Sequence, residues 1–146
     1  MYFVSVTRLR VRSIRFLPAF LLANGGIVRY IKTVNGFAGG MELLDKNLTF
    51  WTATVWHSEA DMKAFRSGEP HKKAMRNLPH WCDEAAYAHW QQQENTPPDW
   101  DIVHEMLLAE GRLSKVKYPS IQQGVMAYPP PKWRKTQRIL ASKALA

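Results

Sequence analysis

At 146 residues the chain can form one domain that buries about two thirds of its unfolded surface, so neither a metal nor a disulfide staple is needed. Its one cysteine, Cys82, cannot close an internal bridge, which points away from an oxidising compartment and towards the cytoplasm. The formal net charge of +8 raises the question of nucleic acid. The Lys and Arg residues are spread over the first strand, residues 72–76 and residues 115–143 without a recognition motif, so solvated basic faces are expected and specific nucleic-acid binding is not.

Residues 2–11 alternate, with Tyr2, Val4, Val6, Arg8 and Arg10 on one face and Phe3, Ser5, Thr7, Leu9 and Val11 on the other, the pattern of a strand. Arg8, Arg10, Arg12 and Arg15 interrupt any signal-peptide order, and the apolar run 16–23 is too short for a transmembrane segment. Ser13 is a candidate N-cap, Pro18 fits a first turn, and Leu17, Phe20, Leu21, Asn24, Val28 and Ile31 trace a helical stripe. Residues 34–44 are glycine-broken but β-like, and Asp45-Lys46-Asn47 turns them into a second strand at 48–57. Ser58 caps a helix that pauses at Gly68-Glu69-Pro70 and restarts near His71, where His71, Met75, Leu78 and Cys82 share a stripe. Residues 85–91 supply a last strand.

The order β, α, β, β, α, β predicts an α+β fold, ferredoxin-like with an antiparallel sheet, over residues 1–95. Residues 96–146 form a C-terminal extension of the same domain. There Asp99 precedes a helix carrying Trp100, Val103 and Leu107 and ending at Gly111, and Pro129-Pro130-Pro131 with Lys132-Trp133-Arg134-Lys135 predicts an extended arm. A four-stranded sheet with helices on one face leaves the other bare, and large groups from Phe50 or Trp51 onward would sit there. A homodimer through that face is the expected remedy.

The string Thr54-Val55-Trp56-His57-Ser58-Glu59, followed by Met62, Ala64-Phe65 and His71, resembles the dimeric α/β-barrel superfamily of antibiotic-biosynthesis and haem-degrading monooxygenases. Within it the likeness is closer to the spheroidene monooxygenase type, through Trp56-x-Ser58, Met62, Ala64-Phe65 and Trp81-Cys82-Asp83-Glu84. The resemblance covers residues 2–92. It implies a small monooxygenase-like dimer with an apolar small-molecule ligand between sheet and helices, and a haem or no cofactor at all. Where haem-degrading relatives carry Asn, Trp and His, this chain has Thr7, Phe65 and Met75, which argues against haem degradation by that route.

His71 is the candidate catalytic residue, as a proton shuttle or as the axial ligand of a haem iron; a core histidine is the plain alternative. Trp56, Phe65 and Trp81 are candidate walls for a flat apolar ligand, or ordinary core. Asn24, polar on an apolar stripe, must bond to backbone, water or ligand. Arg8 and Arg10 share a face, where they would hold a carboxylate or a haem propionate, or face solvent. Glu84 would orient a ring N–H or lie on the surface, and His57, His80, His89 and His104 lack metal-ligand spacing and are assigned to surface or packing. A binding or interaction module without catalysis is the rival reading.

Overall fold

The structure, a computed structural model, describes residues 1–132 and 135–141. The elements in chain order are β1 (Tyr2–Val11), a 3-10 turn (Ile14–Phe16), α1 (Leu17–Ile31), β2 (Phe37–Asp45), β3 (Thr49–Trp56), α2 (Glu59–Ser67), α3 (Glu69–Trp81) and β4 (Cys82–Gln92). The extension adds α4 (Trp100–Glu110), β5 (Arg112–Leu113), α5 (Ile121–Val125) and β6 (Thr136–Ile139). All pairings are antiparallel, in the order β5-β4-β1-β3-β2-β6. The four central strands have the ferredoxin-like order and the fold is α+β, as the alternation predicts.

Local chemistry sets the helix ends. Ser58 Oγ accepts from the Asp61 backbone N–H at 3.1 Å, and Glu59 and Asp61 place negative charge in the first turn of α2. Gly68 is extended and separates α2 from α3, while Pro70 falls in the first turn of α3, where its missing N–H costs nothing. A Cβ at Gly68 would collide with the Tyr30 ring of α1, which stacks on Phe65 of α2 at 5.7 Å. Glycine at this junction therefore lets α1 approach the break.

Three helices, α1, α2 and α3, lie over the sheet face that carries Ser5, Thr7 and Leu9. The opposite face is where expectation and structure part. Val4, Val6, Trp51, Ala53 and Val55 are buried there against Trp100, Val103 and Leu107 of α4, together with Tyr128. The face expected to be bare is thus covered by the chain's own extension, and the reason given for a homodimer through it disappears. The expected arm also folds back: β6 pairs with β2 from Gly40 to Leu43, making an edge of the chain's own sheet. Trp133 and Arg134, at the centre of that arm, lie outside the described residues.

Helical backbone from Ile14 to Ile31 gives an 18-residue stretch of mean hydropathy 1.2, long and apolar enough to cross a membrane by length and composition. The run 16–23 omits its continuation through Gly25-Gly26. Only 11 % of this stretch is buried.

Candidate functional site

Between the helices and the sheet lies a cavity of about 280 Å³, at the lower limit of ordinary ligand pockets. Its floor is the sheet, and the register lays out the chemistry in rows. Glu42 pairs with Thr52, Thr52 with Thr7, and Thr7 with Tyr87, so one carboxyl and three hydroxyl side chains cross four strands side by side. The next row runs Gly40, Thr54, Ser5, His89. A strand face under helices is ordinarily apolar. Here its centre is polar, while Phe20, Ile27, Val28 and Ile31 of α1, Met62 and Phe65 of α2, and Leu78 and Trp81 of α3 supply an apolar roof.

Two groups inside this space have displaced acidities. Burial, reinforced by the Arg66 guanidinium, holds the His71 imidazole below the ordinary histidine range, against a weaker opposing contact with the Arg66 backbone. Its Nδ1 is buried without a well-formed hydrogen bond, and the ring meets Phe65 edge-on at 5.1 Å. Glu42 moves the other way: burial raises its carboxyl above the ordinary range, and the Asn24 amide, donating at 3.4 Å, only partly offsets this. Both shifts favour the neutral form of the group inside the cavity. His89 is also lowered, by burial first and then by Arg66.

Phe65, His71, Trp81 and Asn24 come together around the cavity, as do Thr7 and Met75, the positions at which this chain departs from haem-degrading relatives. Trp56 does not line it. It is fully buried behind Phe65 at 5.2 Å, with its Nε1 donating to Thr54 Oγ1 at 2.9 Å. Arg8 and Arg10 are on the other face of the sheet. Arg8 Nη1 donates to Glu84 Oε1 at 2.6 Å and Arg10 Nη1 to Glu84 Oε2 at 2.8 Å, and Ser120 Oγ donates to Oε2 at 3.0 Å. Burial alone would raise Glu84, but these donors hold its carboxyl below the usual range. The Arg8 guanidinium also lies 4.1 Å over the Tyr128 ring, so the pair clamps the extension to the sheet rather than holding a ligand.

A haem at His71 would need cations for its propionates and a slot for the macrocycle. Arg8 and Arg10 are committed to Glu84 beyond the sheet, which leaves Arg66 as the one cation among the described lining residues for two propionates, and the cavity is small. The residues present do not fit haem. Cys82 is buried, and burial with the neighbouring Asp83 pushes its thiol up to about 12, which leaves it unreactive. Among the described residues no group of three His, Cys, Asp or Glu could hold a metal ion.

Two lining residues escape a reading along the chain. Glu42 sits in a glycine-rich strand and acquires meaning only through its register with Thr52 and Thr7. His89, assigned to surface or packing, lines the floor because β4 presents Tyr87 and His89 to the same side as Thr7 and Ser5. The signal available in advance was hydroxyl alternation, Ser5-x-Thr7 and Thr52-x-Thr54, on the two central strands.

No family profile matches the chain, and no curated protein sequence matches it. Solved structures do. An antibiotic biosynthesis monooxygenase superposes with a TM-score of 0.56 at 9% identity, covering 64% of this chain and 100% of its own. SnoaB, a cofactor-independent oxygenase from Streptomyces nogalater, gives a TM-score of 0.53 at 16% identity, with 67% of this chain and 98% of its own covered. Rv0793 from Mycobacterium tuberculosis gives 0.58 at 6% identity, with 64% and 97% covered. The chain has the fold of the antibiotic biosynthesis monooxygenases.

Proposed function

We propose that this protein is a monooxygenase-like enzyme that binds a flat, apolar, weakly acidic small molecule in the cavity between sheet and helices, and deprotonates it for reaction with dioxygen. The observation that carries this reading is the pairing of a neutral, underbonded His71 with an apolar roof over a row of hydroxyl groups. Further support comes from the shared fold with SnoaB, whose chemistry is described as cofactor-independent.

His71 accepts a proton from an activated C–H or O–H of the substrate, and burial makes the neutral base available near neutral pH. Thr7, Thr52 and Tyr87 offer hydroxyl donors to the anion that forms. The anion's electron pair passes to dioxygen and a C–O bond forms. In the resulting peroxide the O–O bond breaks, the hydrogen remaining on the same carbon is lost as a proton, and its bonding pair closes the carbonyl while the outer oxygen leaves as water, so the substrate supplies every electron. Glu42, on the cavity floor, is the carboxyl placed to hand the departing oxygen a proton. Cys82 as the lone, buried thiol supports placing this reaction in the cytoplasm.

The test is oxygen uptake with a panel of hydroxynaphthalenes and their quinols as probes. The wild type should consume oxygen with at least one of them, and His71→Ala should lose most of that rate while still unfolding cooperatively as a folded protein. Uptake that survives in His71→Ala would remove the residue from the chemistry.

A further inference from the structure

An apolar helix on a protein surface needs an occupant for its outer face. Ile14 is 74% exposed and Leu22 76%, with Leu21 at 46%, so the outward side of the α1 stretch presents large aliphatic groups to the surroundings. A scattered exposed leucine needs no explanation. Three exposed aliphatic residues along one 18-residue apolar stretch do.

The charge around it selects the occupant. Residues 1–41 contain no aspartate or glutamate, and Arg15, Arg29 and Lys32 are exposed at the two ends of the helix. Neighbouring α3 adds exposed Lys72 and Lys73, while its one carboxylate, Glu69, and Arg76 pair at 2.7 Å. We propose that the outer face of α1, with the adjoining surface of α3, docks the protein on an anionic phospholipid bilayer. Aliphatic groups flanked by cations are the pattern of a helix lying in the plane of a bilayer interface.

Lying on the surface, rather than spanning, follows from the inner side of the same helix. Phe20, Asn24, Ile27 and Val28 wall the cavity, and Phe20 packs on Phe50 of the sheet at 4.5 Å. Withdrawing α1 into a bilayer would open the cavity. The docking stands on the surface alone. Joined to the proposed function, it offers a route for an apolar substrate: Met75 of the adjoining α3 both lines the cavity and is 42% exposed.

Co-sedimentation of the full chain with phosphatidylcholine vesicles, with and without phosphatidylglycerol, tests this without any substrate. The wild type should bind the anionic vesicles, bind neutral ones far less, and release as salt rises. Leu21→Ser/Leu22→Ser should weaken binding at least about tenfold, and each of Arg15→Gln, Arg29→Gln and Lys32→Gln about fivefold, with helical circular dichroism unchanged. Leu22→Trp should bind more tightly and shift its fluorescence to the blue on the vesicle. Equal binding to neutral and anionic vesicles would overturn the proposal, as would an undiminished Leu21→Ser/Leu22→Ser. So would a wild-type dimer in sedimentation that this double variant splits, because the occupant would then be a second copy. Oxygen uptake by detergent-free protein with a soluble probe fails or succeeds independently of these results.

Discussion

Replacing Leu107 by Ala tests whether α4 covers the sheet from within the chain. Leu107 is fully buried against the face that carries Val4, Trp51 and Val55. The change removes three carbons, which at about 0.8 kcal/mol each is about 2.4 kcal/mol of transfer free energy. The vacancy left between a helix and a rigid sheet raises the loss to about 3–4 kcal/mol, inside the range measured for buried leucines. Leu108, one position along and 44% exposed, is the control and should cost less than about 1 kcal/mol. Urea unfolding followed by tryptophan fluorescence reads both, since Trp51 and Trp100 sit in this layer. An equal, small effect at both positions would mean that α4 does not rest on the sheet, and the open face would again call for a second copy.

Arg8→Met should cost about 1.5–3 kcal/mol, because the buried Glu84 carboxylate loses one charged donor and keeps Arg10 and Ser120, yet it should leave probe binding in the cavity intact; loss of binding without loss of stability would return Arg8 to the ligand. For His71 and His89 the folded pKa lies below the unfolded 6.5. The unfolded chain therefore binds more protons in that window, and their contribution to stability, complete above 6.5, is lost as pH falls towards the lowered values. Urea midpoints of His71→Gln/His89→Gln should fall less over this range than those of the wild type, and an identical decline would place the sensitive groups elsewhere. Gly68→Ala should destabilise by about 1–3 kcal/mol through its collision with Tyr30, a loss that Tyr30→Ala in the same chain should partly relieve. Haemin added to the wild type should give no Soret band dependent on His71, and a band lost in His71→Ala would show that the site accepts haem after all.

The βαββαβ core is legible in the chain because its elements carry local signals, from the alternation of Tyr2–Val11 to the Ser58 cap before α2 and the Gly68-Glu69-Pro70 break before α3. The destination of the extension is not. Nothing local in Trp100, Val103 and Leu107 states which face they return to; a stripe that fits a sheet from within one chain fits a sheet from another equally well. Arg8 and Arg10 illustrate the same limit. Alternation puts them on one face, but their partner Glu84 is 76 and 74 residues away, and which face the helices cover is decided by the topology. At the site, His71 and Phe65 can be approached from helix stripes, whereas Glu42 and His89 belong to rows that exist only across four strands. The aromatic density that singles out Trp56 marks packing behind the cavity.

The central claim is that a ligand sits in the cavity between sheet and helices. Methyl-labelled protein titrated with 2-hydroxy-1,4-naphthoquinone, a flat weak acid, reads this directly by nuclear magnetic resonance. The methyl groups of Ile27, Val28 and Met62 should shift, since they line the cavity, while those of Val4, Val55 and Leu107 beyond the sheet stay still. Shifts confined to the α4 side, or a response that does not saturate at any methyl group, would contradict it.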